Sequence, residues 1–325
     1  MKKDNDVIIS LDKWKYAELP KIKPFNKKID FHNMISLGSC FARNFTRWLF
    51  FARLNNKRMP WDILYNPFSM SMEIVRLFEE IDWQKGIIYE NGLLPQNNRI
   101  RDPWRSWTSF ESISQLKHFN HNFSDLAKRE IDQASGFLFT FGLSEIWCNN
   151  KNHEIIANQL PSSIIFGNKR GWKSRFASVD EIEGAIKRMI GIIRKNYVDK
   201  MPIIFTLSPV PLKYTFSGLS VREANNISKS TILITLNKVI NNEENIYYFP
   251  VYEIVQALVE QKFPVWQSDG RHITAATIDY ISRLLIDNYG SKNKFHESLS
   301  DFWVPFVDSN GVISGRLFVN GEFST

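Results

Sequence analysis

The stretch SLGSCFA at residues 36–42 sets two nucleophile types, Ser39 and Cys40, side by side behind Gly38. Glycine permits a sharp turn from the apolar run before it into the helical pattern after it. The first residues of a helix carry unpaired N–H groups and a positive partial charge. A thiol held there is drawn towards the thiolate from an ordinary pKa of about 8.5, and the same N–H groups suit a developing oxyanion. Each residue also has a plainer role, Ser39 as an N-cap and Cys40 as a small buried side chain. A nucleophile needs a base. Of six histidines, His272 has the suggestive setting: SDGRH at 268–272 places Asp269 three residues ahead of it. An aspartate there accepts the imidazole Nδ1–H and fixes the tautomer in which Nε2 faces the nucleophile. D-x-x-H is common by chance, so its weight comes from its place in the chain, just before the last helical pattern.

The elements that must position these groups read as an alternation. NMISLG (33–38), GFLFTFG (136–142), MPIIFTLSP (201–209) and NIYYFP (245–250) are apolar strand patterns. Helical patterns fall at 41–54, with Phe41, Phe45, Trp48 and Leu49 on one side, and at 69–81, 179–199, 222–240 and 274–290, the last with Gly290 as its C-cap. Apolar strands separated by amphipathic helices imply an α/β fold of three layers, α/β/α, with a mostly parallel sheet covered on both faces. In such sheets, sites collect at the carboxyl ends of the strands. Here those ends read GSC, GLSE, LSP and FP, which puts Ser, Cys and Glu on one rim. The chain divides into an arm at 1–30, a catalytic domain at 31–290 with an irregular insertion at about 55–135, and an extension at 291–325. The extension carries a hairpin pattern around Asn320-Gly321.

At 325 residues and 43% apolar composition the chain reads as globular. Its formal charge, 41 − 34 = +7, favours anionic partners such as acidic glycans, phosphorylated carriers, coenzyme A, nucleic acid or an anionic membrane, without choosing among them. Two cysteines, Cys40 and Cys148, make no disulfide framework and no Cys-x-x-Cys metal pair, which fits a reducing, cytoplasmic setting. No signal peptide, transmembrane run, G-x-G-x-x-G, H-E-x-x-H or nucleic-acid motif is present, and no metal site is expected. Trp104 and Trp107 with Arg101 and Arg105 form a candidate stacking and charge platform for a sugar or nucleotide, or else fill a core.

Ordered motifs now carry a resemblance. GSCFA (38–42), ILYNPFS (63–69), TFGLSEIW (140–147), TLSPVPL (206–212), SKS (228–230), YFPVYEIV (248–255) and DGRH (269–272) resemble the GSCFA family, a branch of the SGNH (GDSL-like) hydrolases and acyltransferases. The resemblance implies a flavodoxin-like sheet and acyl transfer. It places Cys40 in the nucleophile slot with Ser39 as the alternative, and His272 and Asp269 as base and orienting acid. Gly38, Gly142 and Ser144 fall at the oxyanion hole, although Ser144 and Glu145 stand where the wider fold keeps Asn and Asp. Glu145 is a further candidate for substrate binding, and ANQLP (157–161) lacks the Cys-His pair that many members carry there. The implied substrate is a carbohydrate in bacterial polysaccharide biosynthesis, with acetyl-coenzyme A (acetyl-CoA) as a candidate acyl donor and no tightly bound cofactor. A binding module for an anionic glycan or nucleic acid, without catalysis, is the alternative reading.

Overall fold

The computed structural model describes residues 19–23, 28–52, 54, 61–81, 88–90, 99–105, 107–149, 155–160, 172–197 and 201–291, with four short strands between 304 and 323. In chain order the elements begin β1 (Ile35–Gly38), α1 (Cys40–Phe51), α2 (Pro67–Phe78), β2 (Ile88–Glu90), β3 (Arg99–Arg101) and α3 (Ile113–Ile131). They continue as β4 (Phe137–Phe141), β5 (Glu145–Asn149), β6 (Ile155–Ala157), β7 (Trp172–Phe176), α4 (Val179–Asn196) and β8 (Ile203–Leu207). Then come α5 (Val221–Ile240), β9 (Ile246–Tyr248), α6 (Val251–Glu260) and α7 (Ala275–Tyr289). The last strands are β10 (Val304–Val307), β11 (Ile313–Arg316), β12 (Phe318–Val319) and β13 (Glu322–Phe323).

The central sheet is parallel, in the order β1-β4-β8-β9, and every residue of β1, β4 and β8 is buried. That burial on both faces is why these strands read as continuous apolar runs. The two faces still differ, because side chains alternate along a strand. Phe137, Phe139, Phe141 and Phe205 pack against residues of α2, α3, α4 and α5. Leu138 and Ile204 face the other way, against α1, α6 and α7. Polar side chains inside this sheet are hydrogen-bonded, as burial demands. Thr206 Oγ1 donates to Thr140 Oγ1 at 3.0 Å, and Ser36 Oγ donates to the Ala42 carbonyl and contacts Thr46 Oγ1.

The α/β class and the parallel sheet agree with the sequence reading, and α1 buries Phe41, Phe45, Trp48 and Leu49 as expected. Gly290 is the C-cap of α7, in an extended conformation. Three elements depart from the pattern. Helix α3 lies in the stretch read as irregular. Its buried positions are Leu116, Asn120, Phe123, Ala127 and Ile131, so a polar residue interrupts the apolar stripe that would have marked it. A second, antiparallel sheet, β6-β5-β7, stands beyond β4. Helix α6 begins directly after Pro250, too close to β9 to appear as a separate element. At the carboxyl terminus β12 and β13 pair antiparallel on either side of Asn320-Gly321, whereas those two residues and the first part of the arm, 1–18, lie outside the described residues.

The turn from β1 to α1 depends on one glycine. Gly38 has φ +139°, and a Cβ built on it would stand 2.3 Å from the Thr140 carbonyl oxygen of the neighbouring strand. Neither the dihedral nor the contact tolerates a side chain. Gly38→Ala is therefore expected to destabilise the protein by roughly 2–4 kcal/mol in urea unfolding, with the midpoint falling.

Candidate active site

Helix α1 opens at Cys40, one residue after the sheet, and Ser39 is its N-cap, its Oγ accepting from the Phe41 N–H at 3.3 Å. Helix α7 opens just after the DGRH loop. That loop is cinched by backbone hydrogen bonds from Gln267 N–H to His272 O (2.7 Å) and from Thr274 N–H to Val265 O (2.7 Å), with Gly270 at φ +66°. The two helices pack on the same face of the sheet, tied by Trp48 Nε1 donating to Asp279 Oδ1 at 2.8 Å. Their amino ends therefore meet.

At that meeting Cys40 Sγ lies 3.9 Å from His272 Nε2, and His272 Nδ1 lies 2.5 Å from Asp269 Oδ2. The other carboxylate oxygen, Oδ1, accepts from the backbone N–H groups of His272 and Arg271, each at 2.9 Å. The His272 N–H, then the Arg271 N–H and the imidazole, hold the Asp269 carboxyl down at about 2. Asp269 is thus an anion across the working range of pH and keeps its grip on Nδ1. The structure brings Cys40, His272 and Asp269 together, while the Ser39 hydroxyl is engaged in capping.

One electrostatic expectation changes. The helix start does not leave Cys40 ionised. Burial, the largest influence, pushes its thiol up, against the pull of Arg43 and Arg271. Burial thus favours the thiol over the thiolate at rest.

The oxyanion groups named from the sequence also have other work. Gly38 gives its carbonyl to the Leu64 N–H, and the Gly142 N–H donates to the Tyr65 carbonyl at 3.0 Å. Ser144, fully buried, directs both its N–H and its Oγ to Ser228 Oγ at 3.3 Å. Two other donors stand near Cys40: its own N–H, at the start of α1, and Tyr65, which lines the same cavity. Burial first, then Cys40 and Tyr214, pushes the Tyr65 phenol up to about 12, so it keeps its proton. Asn158, from the ANQLP segment, accepts from the Tyr65 N–H at 2.9 Å and from Ser69 Oγ at 2.9 Å, which fixes the tyrosine backbone. Sequence reading missed Tyr65 and Asn158. The signal for Tyr65 was the intact ILYNPFS motif, which does not reveal which of its residues faces a cavity, and ANQLP was noted only for lacking a Cys-His pair.

Cys40 and Tyr65 line a cavity of about 140 Å³ that opens to solvent. Its lining is partly aromatic: Phe216 lies between Trp147 (4.9 Å between ring centres) and Tyr214 (5.5 Å). Glu145 lines the cavity too, but its carboxylate accepts from Thr215 Oγ1 (2.7 Å) and the Phe216 N–H (2.8 Å), so it braces the aromatic wall.

The proposed platform at 101–107 is corrected by burial. Arg105 is fully buried, with Glu73 at 2.8 Å, Asn120 Oδ1 at 2.9 Å and the Phe123 ring beneath its guanidinium. Arg76 pairs with Asp102 at 2.8 Å in the same network, and Trp61 Nε1 donates to Glu73. Burial would raise the Asp102 carboxyl, yet Arg76 and then Arg105 hold it below the usual range. Trp104 is buried, Trp107 packs on the core, and Arg101 donates to the Thr108 carbonyl. None of the four lines the cavity. Removing one partner of such a network leaves a buried charge, at a cost of roughly 3–5 kcal/mol. These residues hold the insertion together.

A thiol raised by burial predicts a specific pH response. Cys40 alkylation, followed by mass spectrometry at that residue, should still be climbing above pH ~8.5, the ordinary pKa of a cysteine thiol. A plateau near neutrality would show a preformed thiolate.

Among the described residues no cluster of three or more His, Cys, Asp or Glu side chains is arranged to hold a metal ion, and no helix is long and apolar enough to cross a membrane. No curated protein and no solved structure is significantly similar to the chain. The GSCFA family profile matches residues 33–284 of the 325, a span that runs from β1 to α7 and includes Cys40, Tyr65, Asp269 and His272. The chain belongs to the GSCFA family.

Proposed function

We propose that this protein is an acyl-transfer enzyme of the SGNH type, an O-acetyltransferase or esterase acting on a carbohydrate. The observation that supports it is the chain of contacts Cys40 Sγ–His272 Nε2–Asp269 at 3.9 and 2.5 Å. Cys40 gives its proton to Nε2 as Sγ attacks the acyl carbonyl, and Asp269 balances the imidazolium that forms. The Cys40 N–H and the Tyr65 hydroxyl donate to the oxyanion of the tetrahedral intermediate. When the C–O or C–S bond to the donor breaks, the imidazolium returns the proton to the leaving group, and a thioester remains on Cys40. A sugar hydroxyl or water, deprotonated by the same Nε2, then takes the acyl group and restores the thiol.

The aromatic wall of Trp147, Phe216 and Tyr214 suits the apolar face of a pyranose ring. Those three rings and Cys40 line the same cavity, so a sugar stacked there can present a hydroxyl to the acyl group. With a net charge of +7 and two free thiols, the reading extends to a cytoplasmic transferase in polysaccharide biosynthesis that draws on acetyl-CoA. One observation favours the other class, a binding module: burial keeps the Cys40 thiol protonated at rest.

Turnover separates the two. The protein should release the thiol of acetyl-coenzyme A or hydrolyse an aryl acetate, and faster with the accepting glycan present. Cys40→Ala and His272→Ala should each lower this rate at least ~100-fold with unchanged circular dichroism. Turnover unchanged in both variants, or absent from the native protein with every donor, sinks the enzymatic reading.

A further inference from the structure

Arg271 stands between the cavity and the imidazole. Its Nη2 lies 3.1 Å from His272 Nε2, and its Nη1 donates to the Pro211 carbonyl at 3.1 Å. Arg271 lines the cavity next to Cys40, and His272 itself does not. Among the described residues no carboxylate lies within ion-pair distance of this guanidinium; Asp269 meets only the Arg271 backbone N–H.

Two consequences follow from the chemistry of the group. A guanidinium only donates, so Nε2 must be the accepting nitrogen, and Nδ1 carries the proton shared with Asp269. That is the tautomer a base needs. Yet the lone pair that must take the Cys40 proton is also the one on which Arg271 rests. An arginine with neutral partners, beside a cavity, is matched by the two oxygens of a carboxylate or phosphoryl group, which bind its fork more strongly than a ring nitrogen and a carbonyl do.

We propose that Arg271 recognises an anionic group, carboxylate or phosphoryl, on the acyl donor or acceptor, and that engaging it draws the guanidinium off Nε2. This rests on the acyl-transfer reading above and names its substrate class: a molecule with an anionic oxygen pair near the reacting carbonyl. An uncharged substrate would leave the base covered. Arg271 is then a specificity residue whose release couples binding to proton transfer.

Paired alkylating agents test this at Cys40 directly. Iodoacetate carries a carboxylate and iodoacetamide does not, and the ratio of their rates at one pH cancels the fraction of thiolate. Arg271→Met should lower the iodoacetate-to-iodoacetamide ratio roughly tenfold, and Arg271→Lys, which keeps the charge, by less. Arg43→Met removes another charge that acts on Cys40 and should leave the ratio close to that of the native protein. Inorganic phosphate and acetate as competitors identify the group: one of them should slow alkylation of the native protein and not of Arg271→Met. A ratio unmoved by Arg271→Met, an equal fall with Arg43→Met, or protection by neither anion would overturn the inference while leaving Cys40 reactive. Failure of both reagents to label Cys40 in the folded protein would instead overturn the acyl-transfer reading, and this inference with it.

Discussion

The site depends on one contact between distant parts of the chain. Cys40 and His272 are 232 residues apart in sequence, and 3.9 Å separates Sγ from Nε2. Neither residue is placed by its own side chain. Cys40 sits where β1 ends and α1 begins, and His272 sits where a cinched loop hands over to α7, so the contact is a meeting of two helix starts. The hydrogen bond from Trp48 to Asp279 and the shared packing of α1 and α7 hold that meeting in register. Gly38 is the condition on one side, because only a residue without a side chain makes the turn under Thr140.

Around this pair the rest of the molecule acts as support. The insertion between α1 and β4 contributes a closed set of buried charges, Glu73, Arg76, Asp102 and Arg105, and it also carries Tyr65 to the cavity. A buried charge network adds little net stability, because desolvation offsets attraction, but it admits few alternative arrangements. That suits a segment that carries a lining residue of the cavity. Lys229 extends the same logic under the rim: buried, it donates to the Gly142 and Val210 carbonyls and joins the ends of two parallel strands. Burial pulls its ammonium down to about 7.

Much of this was legible in the sequence, for identifiable reasons. The parallel strands were visible because burial on both faces leaves a run such as FLFTF with no polar interruption. The Cys40, His272 and Asp269 grouping was legible because each stands at a chain feature, glycine turn or D-x-x-H loop, that the rim argument brings to one place. Tyr65 was not, since a tyrosine in an irregular segment gives no periodic signal and its role comes from Asn158 and Gly142 holding its backbone. Of the two readings of Arg105, a charge platform or core filling, the structure shows the second, and composition does not reveal that Glu73, on α2, neutralises it in the interior. Helix α3 was hidden by Asn120, whose side chain serves that same charge network.

Proton transfer from Cys40 requires one state of one imidazole. Nitrogen-15 NMR of His272 in the folded protein at neutral pH reports it directly. The expected spectrum shows a proton on Nδ1, shifted far downfield by Asp269, and a bare Nε2 facing Cys40. A spectrum with the proton on Nε2 would contradict it, because that nitrogen would then have no lone pair to receive the proton of the thiol.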